Sequence, residues 1–286
     1  MLEQSEIRNQ FLLEKSDICV KELQIASFPN CFECFRQAFT EASFVLKRID
    51  RMTLPPKVIF IPGLLCTAQL FHGQISAIAG IAEFAIGKTT EIDSIEDMAG
   101  SILAEHDGML VPVGLSMGGY VAMEIARQAP ERVAGLMVFN SSARPDTEQR
   151  KKERQGLIAL AGRGRFKGVT RSLLPRLIAS QRLDDTSLAE MIFSMAAEIG
   201  KDNFILQQKA IMTRRDSRPV LAKLQCPSLF VVGQDDQLTP PSLAEEMADM
   251  TAGSRLVILQ NVGHLSTLEA VEETSELMIN HLKYIF

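Results

Sequence analysis

Five short runs that are apolar at nearly every position recur along the chain, at residues 57–61 (KVIFI), 109–115 (MLVPVGL), 133–139 (VAGLMVF), 228–233 (SLFVVG) and 255–260 (RLVILQ). Strands buried on both faces read this way, whereas strands with one wet face alternate. Between most of the runs the apolar residues return at three- and four-residue spacing, as in Ile95, Met98, Ala99, Ile102 and Leu103, or Tyr120, Met123, Ile125 and Ala126. That spacing predicts amphipathic helices. Strand and helix in alternation imply an α/β fold with a mostly parallel central sheet flanked by helices. A weaker strand is expected at 83–86.

The alternation lapses between about 141 and 224, where the sequence turns helical, basic and rich in Met, Leu and Ala. Because strand-like runs resume at Ser228, this stretch is expected to be inserted between two strands of one sheet. It would then sit over the sheet edge where α/β folds bind ligands. The expected organisation is a core of 52–145 and 220–286 and a helical cap of 146–219. Residues 1–51 form an N-terminal extension without a firm pattern, and Met52, just before the first clear strand, is an alternative start.

With 46% hydrophobic and 23% charged residues in 286, the chain has the material for a packed core, which excludes a disordered protein. No apolar run approaches the roughly 18 residues of a bilayer span, so no membrane span is expected. The polar start MLEQSEIRNQ lacks the basic and apolar regions of a secretory signal, and a cytoplasmic protein is expected. Five cysteines (Cys19, Cys31, Cys34, Cys66, Cys226) are an odd number that fits free thiols. Cys31 and Cys34 form a CxxC, but without a second ligand pair this reads as two cysteines on a helix turn. A net charge of −5 argues against a nucleic-acid partner. Residues 146–182 nevertheless hold ten basic and three acidic residues. Such a stretch is either a solvated helical surface or a face for an anionic or carrier-linked substrate.

The most specific local signal is Gly114-Leu115-Ser116-Met117-Gly118, which joins an apolar strand directly to an amphipathic helix. A serine at so sharp a turn projects its hydroxyl above the sheet, and the flanking glycines let neighbouring backbone approach. A hydroxyl is a poor nucleophile unless a histidine, itself held by a carboxylate, takes its proton. Of four histidines, His264 lies in a loop after the last strand, where it can reach the same sheet edge; His72, His106 and His281 are assigned to surface or packing roles. Asp235 and Asp236 follow the preceding strand, and either can reach His264. The N–H of Met117 is one expected oxyanion donor, and the loop Ile61-Pro62-Gly63-Leu64-Leu65-Cys66 supplies the second through Leu64. Cys66 is expected to be a small buried thiol.

From Met52 onward the chain resembles the compact bacterial α/β-hydrolases similar to the pimeloyl-carrier-protein methyl ester esterases. The resemblance rests on PGLLC at 62–66, GLSMGGY at 114–120, APERV at 129–133, SARPD at 142–146, the CP-to-TPP stretch at 226–241 and GHLSTLE at 263–269. It implies Ser116 as nucleophile, His264 as base and Asp236 as acid, with a cap between the sixth and seventh strands of the fold. Pro62-Gly63 stands where many relatives carry His-Gly. The implied activity is hydrolysis of a carboxylic ester through an acyl-enzyme, with no cofactor or metal, and the expected partner is a small-molecule ester, anionic or carrier-linked if the basic stretch faces it. The same residues also serve thioester or C–C bond hydrolysis and cofactor-free perhydrolysis, and a ligand-binding protein on this scaffold is the non-enzymatic alternative.

Overall fold

The strands of the sheet all run parallel, in the order β2-β1-β3-β4-β5-β6. The computed structural model describes residues 55–286; the extension 1–51, Met52 and the cysteines Cys19, Cys31 and Cys34 lie outside the described residues. In chain order, β1 (Lys57–Ile61), α1 (His72–Ile78), β2 (Phe84–Ile86), α2 (Ile95–Glu105), β3 (Leu110–Leu115), α3 (Met117–Gln128) and β4 (Leu136–Phe139) come first. Between β4 and β5 the chain forms α4 (Glu148–Leu160), α5 (Leu174–Leu177), α6 (Thr186–Thr213) and α7 (Arg218–Leu221), joined by shorter turns. The last part comprises β5 (Ser228–Gly233), α8 (Pro241–Met250), β6 (Arg255–Leu259), α9 (Ser266–Glu269) and α10 (Val271–Ile285).

The apolar runs are the strands, with one notable shift. The run at 133–139 enters the ladder only at Leu136, because Val133 makes a single bridge to Leu110 and pairing with the β5 side begins where Leu136 N–H donates to Pro227 O. Apart from the edge strand β2, whose Phe84 and Ile86 are exposed, alternate residues of the strands serve two cores. Val58, Phe60, Val113, Leu115, Met137 and Phe139 pack on one face with Ile78 of α1 and Met278 and Leu282 of α10. Ile59, Ile61, Leu110, Leu136, Val138 and Phe230 pack on the other with Met98 of α2, Val121 of α3 and Met247 of α8. Each large side chain so buried contributes roughly 1.5–3 kcal/mol.

Strand order explains why α1 lies apart from α2 and α3. The step from β1 to β2 runs one way along the sheet and the later steps run the other way, so right-handed crossovers put their helices on opposite faces. The reversal opens a crevice beyond the carboxyl ends of β1 and β3, the usual ligand position in such sheets. The insertion covers that edge. Side chains start its longer helices: Thr147 Oγ1 accepts from Arg150 N–H ahead of α4, and Asp185 Oδ1 accepts from Leu188 N–H ahead of α6.

The first turn of α3 is pressed against the end of β1. A Cβ added to Gly118 would lie 1.8 Å from Ile61 O, and one added to Gly114 would lie 2.1 Å from Gly118 O. Both neighbours are backbone and have nowhere to go. Gly156, in the exposed middle of α4, has nothing within 4 Å of such a Cβ. Gly118→Ala is therefore expected to lower unfolding free energy by about 3 kcal/mol or more, and Gly156→Ala to raise it by about 0.5–1 kcal/mol. Urea denaturation of the two variants beside the parent chain checks both signs.

Candidate active site

Ser116 occupies the residue between β3 and α3 with φ +57° and ψ −115°, a conformation a side-chain-bearing residue adopts only under strain of about 1–3 kcal/mol. The strain is held in place by Ser116 N–H donating to Phe139 O at 3.0 Å and by Ser141 Oγ donating to Ser116 O at 2.8 Å. The serine hydroxyl lies 2.9 Å from His264 Nε2. On the other side of the ring, Nδ1 lies 2.9 Å from Asp236 Oδ2. A carboxylate only accepts, so Nδ1 carries the proton and Nε2 presents its lone pair to the serine O–H.

The two candidate acids separate by burial. Asp235 is exposed, whereas Asp236 is buried and meets His264. Besides the imidazole, Asp236 accepts from Asn140 Nδ2 at 2.9 Å, Thr239 Oγ1 at 2.7 Å, and the N–H groups of Leu238 and Thr239 at 2.9 Å each. Burial pushes its carboxyl up, but the charge and hydrogen bond of His264, with those of Thr239 and Asn140, outweigh burial and hold it at about 2.

His264 is held from both sides. Its backbone N–H donates to Leu177 O at 3.0 Å, in the insertion. Glu269, buried at the end of α9, accepts from Gly263 N–H at 3.1 Å, Leu265 N–H at 3.2 Å and, across to the insertion, Ala179 N–H at 2.7 Å. Burial lifts the Glu269 carboxyl above its ordinary range against the pull of those donors and of Arg182. Asn140, Thr239 and Glu269 hold the site together, yet none was assigned a role from sequence. Asn140 directly follows β4, at the site's edge, and Thr239 and Glu269 fall within the 226–241 and 263–269 motifs, which are the signals the sequence carries for them.

The loop after β1 lies directly over the serine. A Cβ on Gly63 would stand 3.4 Å from Ser116 Cβ and 3.1 Å from Leu115 O. Leu65 N–H is already engaged by Gln207 Oε1 of α6 at 3.0 Å. The N–H groups of Leu64 and Met117 have no hydrogen-bond partner among the described residues. Those two are the donors expected from sequence. Cys66 is buried, its Sγ 3.4 Å from Leu64 O, and desolvation pushes its thiol up to about 12. It is therefore a neutral packing group near pH 7.

Ser116, His264, Leu64 and Cys66 open into a cavity of about 540 Å³. Its walls are mostly apolar, with Leu157 and Phe166 from the insertion facing Leu115 and Leu265 of the core. His72 and His281 sit on α1 and α10, and His106 ends α2; none of the three borders the cavity. Among the described residues no cluster of three or more His, Cys, Asp or Glu is arranged to hold a metal ion, and no helix is long and apolar enough to cross a membrane.

Serine after a central strand, then aspartate and histidine after the last two, is the order of attachment found in α/β hydrolases. The chain belongs to the alpha/beta hydrolase family, whose model matches residues 75–277. The pimeloyl-[acyl-carrier protein] methyl ester esterase of Neisseria meningitidis serogroup C is 30% identical over 185 residues, covering 62% of this chain and 71% of that protein. The serogroup A protein of the same name is 28% identical over 182 residues, covering 62% of this chain, and the match spans 58% of that relative's length. A thermophilic esterase from Thermogutta terrifontis superimposes with a TM-score of 0.70 at 25% identity, covering 80% of this chain and 90% of that one.

The Asp236 geometry has a pH consequence. Its folded value near 2 lies below the ordinary carboxylate value of about 3.9. Its ionised form therefore adds stability that is complete above pH ~4 and is lost as pH falls through 2. The gap in unfolding free energy between the parent chain and Asp236→Asn should narrow by about 2 kcal/mol between pH 5 and pH 2. Urea titrations at each pH measure it; a gap that stayed constant would contradict this assignment.

Proposed function

We propose that the protein is a serine hydrolase acting on carboxylic esters, with Ser116 as nucleophile, His264 as general base and acid, and Asp236 as the group that fixes the imidazole tautomer. The observation that carries this reading is the unbroken relay from Ser116 Oγ to His264 Nε2 at 2.9 Å and from Nδ1 to Asp236 Oδ2 at 2.9 Å. In the reaction, His264 takes the serine proton as Oγ attacks the ester carbonyl, and the oxyanion forms against the N–H groups of Leu64 and Met117. The imidazolium, stabilised by ionised Asp236, returns the proton to the departing alcohol. Water, deprotonated by the same nitrogen, then releases the acid from the acyl-enzyme. Helix α3 begins at Met117, so its dipole favours the developing negative charge.

Ser116→Ala should reduce p-nitrophenyl ester turnover by about 10⁴-fold or more and abolish labelling by a fluorophosphonate. Retention of most turnover in that variant would overturn the mechanism.

A carrier-linked substrate is favoured by the charge around the cavity. The relatives from Neisseria are named for an ester borne on acyl-carrier protein. In this chain Arg150, Lys167 and Arg176 border the cavity, beside the exposed apolar side chains of Leu157, Leu160 and Leu173. Basic groups around an apolar opening suit an acidic carrier that delivers an apolar chain. On this reading kcat/KM for a carrier-linked ester falls several-fold between 50 and 500 mM salt while that for a small neutral ester is unchanged, because only the former uses exposed charges. Equal salt responses would remove the carrier from the proposal.

A further inference from the structure

The Leu64 N–H sits on a turn that the loop's own residues are poorly equipped to hold. In Ile61-Pro62-Gly63-Leu64-Leu65-Cys66 the side chains of Leu64 and Leu65 are apolar, and Pro62 has no N–H. Cys66 N–H donates to Gly63 O at 3.2 Å and closes a four-residue turn. Of its two central residues only Leu65 has a positive φ, +58°. That is the pattern of a type II turn, whose third residue is ordinarily glycine. With leucine there the turn is strained, and reversing the peptide between Leu64 and Leu65 would relieve it.

Both ends of that peptide are gripped. Leu65 N–H donates to Gln207 Oε1 at 3.0 Å, and Leu64 O accepts from the neutral thiol of Cys66 at 3.4 Å. Gln207 Nε2 donates in turn to Thr89 O at 3.1 Å, in the loop after β2. An N–H donates and a carbonyl accepts, so these two backbone partners fix which way the Gln207 amide points. Gln207 is 0% exposed, and its hold is therefore not shared with bulk water. The Leu65 side chain is received by the insertion as well, packing with Ala161, Ala196, Ile199 and Phe204. Asn203, one turn earlier on α6, accepts from Glu91 N–H at 2.8 Å and ties the insertion to the core without touching this turn.

We propose that Gln207 is a positioning residue of the oxyanion site: by fixing the Leu64–Leu65 peptide it places the Leu64 N–H where charge develops on the ester carbonyl oxygen. The insertion then supplies part of the catalytic geometry besides walls for the substrate. The inference rests on the ester-hydrolase reading of Ser116 and deepens it. A donor displaced by about 1 Å costs on the order of 100-fold in rate. Release of the turn should therefore register in the transition state and not in substrate binding.

Steady-state kinetics on a p-nitrophenyl ester, together with inhibition by an alkyl trifluoromethyl ketone, tests this. The ketone carbonyl carbon bonds to Ser116 Oγ as His264 takes the serine proton, which leaves an oxyanion where the ester would form one. Gln207→Met keeps the side-chain length but has no carbonyl. It should lower kcat about 100-fold, leave KM within about threefold and weaken ketone binding by about the same factor as kcat. Gln207→Asn, a methylene too short to span Leu65 N–H and Thr89 O, should behave alike, and it keeps the test open should Gln207→Met fail to fold. Asn203→Ala should stay within about twofold of the parent chain in all three quantities. Unchanged kcat and ketone affinity in the folded Gln207 variants, a loss confined to KM, or equal losses in Asn203→Ala would each overturn the inference and leave the hydrolase reading standing. Absence of turnover by the parent chain is a separate result, which removes that reading and this inference with it.

Discussion

The contact between Gly118 and Ile61 O is the constraint from which the site's layout follows. A helix can start this close to a neighbouring strand only where no side chain intervenes. Its consequence is that the first N–H groups of α3 lie beside the loop leaving β1, and the residue joining β3 to α3 is forced into a strained turn. Ser116 is that residue. The hydroxyl and the two free N–H groups thus owe their proximity to packing of backbone on backbone, which is stiffer than any packing of side chains. Loops after β5 and β6 then have only to deliver their groups to a place already defined.

Buried charge is handled in two contrasting ways behind the walls of one cavity. Asp236 is over-supplied with donors, so it stays ionised and rigid beside the imidazole of His264. Asp146 is shared by two guanidinium groups, which leaves positive charge facing the cavity. One carboxylate thus sits against the imidazole of His264 and the other against the guanidinium groups of Arg154 and Arg214.

Much of this was legible in the chain itself. Strands buried on both faces leave unbroken apolar runs such as KVIFI and SLFVVG, and a serine between glycines at a strand-to-helix junction has few other uses. Ser116, Asp236 and His264 stood out because each follows its own strand, a local property. The supporting residues did not. Asn140 meets Asp236 across 96 positions, Gln207 meets Leu65 across 142 and Glu269 meets Ala179 across 90. An isolated polar residue in a strand end or a helix carries no mark of such a partner. The residues alone left Asp235 and Asp236 open and only the family resemblance singled out Asp236, since burial of one of two adjacent acids is decided by the fold around them. The sequence pattern starts β4 three residues early because Val133 and Ala134 are as apolar as the strand they precede.

The insertion between β4 and β5 is fastened to the loops that carry the candidate site at three places: Gln207 to the Leu65 N–H, Leu177 O to the His264 N–H, and Glu269 to the Ala179 N–H. Lifting it as a rigid body would break all three bonds and release the loop over the serine and the loop bearing the imidazole together. The roof of this cavity is therefore also its scaffolding. A change of cavity shape that leaves those three fastenings in place is confined to the insertion's side chains and connecting turns.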